Sequence, residues 1–224
     1  MIPELIADYG CVTGEGALWH ADEKRVYWLD IPQGRMFRCD PTTGQHEQCY
    51  EGEIVGGATL QADGTLLLFM DRGAVRVWKD GIVKTILDEI PDERQSKFND
   101  VVAAPAGRVF CGTLPTGDRL GRLYRLDPDG ALTMLLEGIS CSNGMGFTPD
   151  QRQMYYTDSI KREIYLFDYD QETGEISNQR VWVRTPEGEG IPDGMTVDAE
   201  GYVWSARWDG SAVVRFAPDG SEDM

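Results

Sequence analysis

The chain has 224 residues, 41% hydrophobic and 26% charged, which gives it the length and apolar content to bury a core and excludes a disordered chain. Its formal net charge of −17 excludes the basic patches that nucleic acid and anionic membrane surfaces require. The five cysteines, at 11, 39, 49, 111 and 141, show no Cys-x-x-Cys spacing, so packed thiols in a cytoplasmic protein are expected rather than a disulfide framework or zinc knuckle.

In chain order, Met1-Ile2-Pro3-Glu4-Leu5 has no basic n-region, and no later segment is long and apolar enough to span a bilayer. A pattern then recurs. Short apolar strands open at Gly16-Ala17-Leu18-Trp19, Gly57-Ala58-Thr59-Leu60, Asp100-Val101-Val102-Ala103, Gly144-Met145-Gly146-Phe147 and Gly194-Met195-Thr196-Val197. The residues just before them stand at 15, 56, 99, 143 and 193, so successive units are 41, 43, 44 and 50 residues apart.

After each first strand comes a polar turn, such as Ala21-Asp22-Glu23 or Pro149-Asp150, and then a β-branched and aromatic strand, such as Val26-Tyr27-Trp28-Leu29 or Met154-Tyr155-Tyr156-Thr157. Third strands include Arg35-Met36-Phe37-Arg38-Cys39, Leu123-Tyr124-Arg125-Leu126 and Val213-Val214-Arg215-Phe216, and a more polar fourth strand follows in the first four repeats. Four antiparallel strands per unit at this period predict a β-propeller occupying residues 1–224 as a single domain. Trp28, Tyr155, Tyr156 and Trp204 read as packing between blades. The fifth repeat ends after its third strand, which leaves two readings: a five-bladed ring closed by Glu4-Leu5-Ile6-Ala7-Asp8-Tyr9, or a six-bladed ring without its last blade.

In a propeller, the residues that precede the innermost strands gather at one mouth of the central channel. Here they are Glu15, Gly56, Asn99, Asn143 and Asp193. Two carboxylates and two amides form an all-oxygen set of charge −2 suited to calcium, magnesium or manganese. Other devices are missing: there is no Walker run, no dinucleotide loop and no Gly-x-Ser-x-Gly elbow. Of the two histidines, His20 reads as a packed or surface residue rather than a base, and Cys141 as a buried thiol.

Gly14-Glu15-Gly16, Phe98-Asn99-Asp100, Ser142-Asn143-Gly144 and Ile191-Pro192-Asp193-Gly194-Met195 together resemble the regucalcin/gluconolactonase family, which includes luciferin-regenerating proteins. Asp168-Tyr169-Asp170, Thr173-Gly174-Glu175-Ile176-Ser177-Asn178 and Asp198-Ala199-Glu200-Gly201 add to the likeness, which runs from about Gly14 to Gly220. The resemblance implies a six-bladed propeller, here without its last blade. It also implies hydrolysis of a sugar lactone and one divalent ion, calcium, zinc, magnesium or manganese, on Glu15, Asn99, Asn143 and Asp193. Asp193 would be the general base, with Lys97, Asn99 and Arg119 touching substrate. Regucalcin-type members have Arg where this chain has Lys97, a point charge in place of a fork. Two rival functions share the metal geometry: an esterase or phosphotriesterase, and a non-catalytic metal-binding module.

Overall fold

A computed structural model describes residues 4–224, and these divide into two compact units that meet in sequence at Phe98 and Asn99. The first unit holds two sheets. One is built of β1 (Gly14–His20), β2 (Arg25–Asp30), β3 (Arg35–Cys39) and β4 (His46–Glu51), and the other of β5 (Val55–Leu60), β6 (Leu66–Met70), β7 (Val75–Lys79) and β8 (Ile82–Leu87). The second unit holds three: β9 (Phe98–Ala103) to β12 (Leu132–Ile139) through β10 (Val109–Thr113) and β11 (Gly121–Leu126); β13 (Ser142–Phe147), β14 (Gln153–Asp158), β15 (Glu163–Tyr169) and β16 (Ile176–Arg184); and β17 (Ile191–Val197), β18 (Val203–Trp208) and β19 (Ala212–Phe216). In every sheet consecutive strands are neighbours, the meander of a propeller blade.

The six-bladed expectation is corrected here. Each repeat makes one sheet, so the described residues form five blades, four of four strands and a last one of three. Six was implied by the family likeness, whereas the five repeats themselves give the count observed, which is that of the alternative reading. Residues 4–13 form no strand. Tyr9 instead stacks on Phe37 at 4.2 Å, and its hydroxyl lies 2.8 Å from His46 Nδ1. At the other end, backbone from the chain's last residues lies along β19: Arg215 N–H donates to the Met224 carbonyl at 2.7 Å, and Asp223 N–H to the Arg215 carbonyl at 2.8 Å.

Alternation of side chains explains how the blades share a core. Tyr155 and Tyr156 are consecutive on β14 and point to opposite faces. Tyr156 joins Phe110, Leu123 and Phe167 between the third and fourth blades, and Tyr155 joins Ile164, Val203 and Phe216 between the fourth and fifth. In the first unit Tyr27, Leu29 and Met36 of one blade pack on Val55, Leu66 and Leu68 of the next. The two tryptophans behave otherwise than expected. Trp28 packs on Phe37 of its own blade, and Trp204 donates its indole N–H to Asp198 within its own.

Candidate functional site

The five marker residues lie inside the first strands of the blades, at their second or third position, and not before them. In the first, second, fourth and fifth sheets the pairing slips by one residue at this point: between Glu15 and Leu18, Val55 and Gly57, Ser142 and Met145, and Pro192 and Met195. Each slip is a β-bulge on the first strand, a device that re-aims a side chain beside a functional site. Sequence reading missed these bulges, although a signal was present: glycine follows the marker in Glu15-Gly16, Gly56-Gly57, Asn143-Gly144 and Asp193-Gly194.

Within the second unit the structure brings Asn99, Asn143 and Asp193 together. Ser142 is the hub. Its side chain is fully buried, its Oγ accepts a hydrogen bond from the Tyr156 hydroxyl at 2.9 Å, and its carbonyl accepts one from Asn99 Nδ2 at 2.9 Å. That bond ties the Asn99 side chain, buried at 8% exposure, to the backbone of the residue before Asn143. Gly112 on β10 makes room for the hub, since a Cβ there would fall 1.7 Å from Ser142 Oγ. Gly144 does the same for the neighbouring blade: a Cβ would lie 2.6 Å from the Asp193 carbonyl oxygen and from Met195 N. The absent side chain lets β13 and β17 approach backbone to backbone, so Asn143 reaches Asp193.

The Asp193 carboxyl is raised above the usual aspartate range by burial, with hydrogen bonds from the Asn143 side chain and the Gly194 N–H opposing the shift. A partly desolvated carboxylate that meets one amide side chain and one backbone N–H gains from a nearby cation. Burial also pushes the nearby Cys141 thiol up to about 11, with Asp193 and Asp158 adding to the shift, which makes it a poor nucleophile at neutral pH.

Two buried aspartates set the entry to these strands, a role the sequence reading did not assign. Asp158, at the end of β14, accepts from Ser140 N–H at 3.1 Å, Ser140 Oγ–H at 2.5 Å and Cys141 N–H at 3.0 Å, and pairs with Lys161 at 3.0 Å. Asp30 stands at the equivalent place in the first blade. It accepts from Val12 N–H at 3.1 Å and Thr13 N–H at 3.2 Å, and pairs with Arg35 at 2.5 Å. Burial opposes ionisation of Asp30, yet the Arg35 and backbone donors hold its carboxyl below the usual range.

The remaining candidates are placed as follows. Glu15, in the first unit, is half-buried opposite Leu29, and Gly16 after it takes φ +64 at the bulge. Lys97 is half-buried and bridges Asp71 through its backbone. Arg119 lies in the loop joining β10 to β11, where its Nη1 donates to the Leu120 carbonyl at 2.9 Å. His20 is buried, with Nε2 3.1 Å from the Gly64 carbonyl, a packed residue as expected. All five cysteines are free. Among the described residues no three His, Cys, Asp or Glu side chains cluster as a metal site, and no helix is long and apolar enough to cross a membrane.

Comparison with known proteins identifies the family of this chain. Residues 13–224 match the SMP-30/Gluconolactonase/LRE-like region. The chain belongs to this family. The pentonolactonase XacC of Haloferax volcanii is 48% identical over 217 residues, covering 97% of this chain and 74% of that one. Regucalcin of Gallus gallus is 33% identical over 92% of this chain and 72% of its own length. Among solved structures, a luciferin-regenerating enzyme superposes with a TM-score of 0.83 at 29% identity, covering 93% of this chain and 73% of that one. A calcium-binding regucalcin of Agrobacterium tumefaciens superposes with a TM-score of 0.89 at 23% identity, over 98% and 75% of the two chains, and shows the shared fold.

Proposed function

We propose that this family member, a lactone hydrolase, opens a sugar lactone with the help of a divalent cation held by Asn99, Asn143 and Asp193. Glu15 is assigned to the same ligand set on the repeat register alone. The observation that carries the reading is the contact between the Asn143 amide and the half-buried Asp193 carboxylate, with Asn99 bonded to the backbone of Ser142 next to Asn143. A bound divalent ion would polarise the lactone carbonyl and stabilise negative charge on its oxygen.

The protein's own groups account for the rest of the reaction. Asp193 accepts a proton from the attacking water as the water oxygen bonds to the carbonyl carbon, and returns it to the ring oxygen as the ring C–O bond breaks. Asn99, its amide nitrogen tied to Ser142, offers Oδ1 to the cation or to a sugar hydroxyl. Lys97 and Arg119 are assigned to the substrate as point and fork donors. The five free thiols support a reducing, cytoplasmic location.

The test is to strip the purified protein of metal and follow acid release from five- and six-carbon aldonolactones as calcium, zinc, magnesium or manganese is restored. Turnover should return with at least one ion. Asp193→Ala should lower kcat by at least about 100-fold, within the usual range for a general base. Asn143→Ala should weaken metal affinity. Binding of the ion without turnover would leave only a metal-binding module, and wild-type rates in both variants would remove this site from the chemistry.

A further inference from the structure

Several buried polar groups without partners stand on or beside the strands of the fourth and fifth blades. Of the six buried side-chain atoms that lack a hydrogen bond among the described residues, four belong to Thr157, Ser159, Thr185 and Arg207. Thr157 is the cross-strand partner of Ile164, which in turn pairs with Val183, and both of these pack in the cluster between the fourth and fifth blades. Cross-strand partners share a face. Ser159 and Thr185 stand just past the ends of β14 and β16 and are linked through Arg162, whose N–H donates to the Ser159 carbonyl and whose own carbonyl accepts from Thr185 N–H.

From the other side, Arg207 shares the face of Val203 and Ser205 on β18. It is 6% exposed, lies 5.4 Å over the Phe216 ring and spends Nη1 on Ser205 Oγ at 2.7 Å. Its Nε has no partner. No described carboxylate forms an ion pair with it, Glu189 and Glu222 acting only at longer range, and a second guanidinium, Arg162, lies near enough to repel it. Arg162 satisfies its donors on the carbonyls of Thr185, Pro186 and Gly190, so it brings charge to the seam but no acceptor.

The chemistry of this set is one-sided. An arginine Nε can only donate, and three rotatable hydroxyls can donate with it, although Ser159 also has the weak Cys141 thiol beside it. A water accepts two hydrogen bonds, whereas an anion accepts four and supplies the countercharge that a buried guanidinium demands. We propose that Arg207, Thr157, Ser159 and Thr185 form a binding site for a small monovalent anion, halide or carboxylate, in the seam between the fourth and fifth blades. The site does not depend on the lactonase reading. It stands close to that chemistry all the same, because Arg207 pairs in register with Pro192, the residue before Asp193.

Crystals of the protein soaked in sodium bromide should show an anomalous peak within hydrogen-bond distance of Arg207 Nε. A parallel soak in sodium acetate, read as two-oxygen density at the same place, distinguishes the carboxylate from the halide. Thr157→Val, which keeps the guanidinium and the shape, should weaken bromide affinity about tenfold, the loss of one charge-assisted bond. Arg207→Met should abolish the peak where it folds. An ordered water on these atoms with no anomalous signal and no acetate would overturn the proposal, as would a peak undiminished in Thr157→Val.

Discussion

Single carboxylates carry unusual weight in this protein. Asp158 is fully buried and holds three donors from the segment that leads into β13, together with Lys161. Asp158→Ala should cost about 3–5 kcal/mol, since it leaves a cation and two backbone N–H groups without their acceptor. Chemical denaturation would read this, and Asp158→Asn should recover part of the loss. Asp198 offers a pH signature. The Trp204 indole N–H, the Arg215 guanidinium and the Tyr202 N–H hold its pKa at about 2, against about 3.9 in an unfolded chain. A depressed folded pKa contributes stability above the unfolded value and loses it as pH falls towards the folded one. The wild-type melting midpoint should therefore drop between about pH 4 and pH 2, and an Asp198→Asn variant should start lower and lose less across that window. Equal slopes in the two proteins would refute the assignment.

Strands and bulges show how far the sequence reaches. Period, turn residues and apolar runs are local properties, so nearly every strand was legible, including the polar fourth strands. Asn99, Asn143 and Asp193 were legible as a register and the structure brings them together. The bulges were not read, because an extra residue in one strand is defined only against its partner, and pairing is not written in either strand alone. Ser142 was invisible for a like reason, its role depending on space left by Gly112 on another strand. Trp28 and Trp204 were misassigned because alternation says which face a side chain takes but not whether a neighbour in its own blade will cover it. Close approach gives a direct test. Gly144→Ala would push a methyl into the backbone of Asp193 and Met195, and should destabilise by about 3 kcal/mol, at the upper end for overpacking because backbone cannot swing aside. The same variant should lose lactone turnover even at temperatures where it remains folded. Tyr156→Phe, which removes only the bond to Ser142 Oγ, should cost about 1 kcal/mol.

At the scale of the whole molecule, the net charge of −17 makes the protein self-repelling at neutral pH and gives it a calculated isoelectric point near 4.4. Solubility should pass through a minimum close to that pH, which a turbidity scan would show, and recover above it. Five blades also impose a shared discipline, because each face of a sheet such as the fourth is committed to a different neighbour. The bulge in four of the five first strands has a consequence for how this protein tolerates sequence editing. Changing a donor at 143 or 193 swaps one side chain on a backbone already turned to present it. Deleting one residue at the same place would restore regular pairing and leave every later side chain opposite its present partner, while removing the turned backbone that presents the donor. Point substitutions here should retune the protein, whereas single-residue deletions should leave the blade paired and take the donor at 15, 143 or 193 out of place.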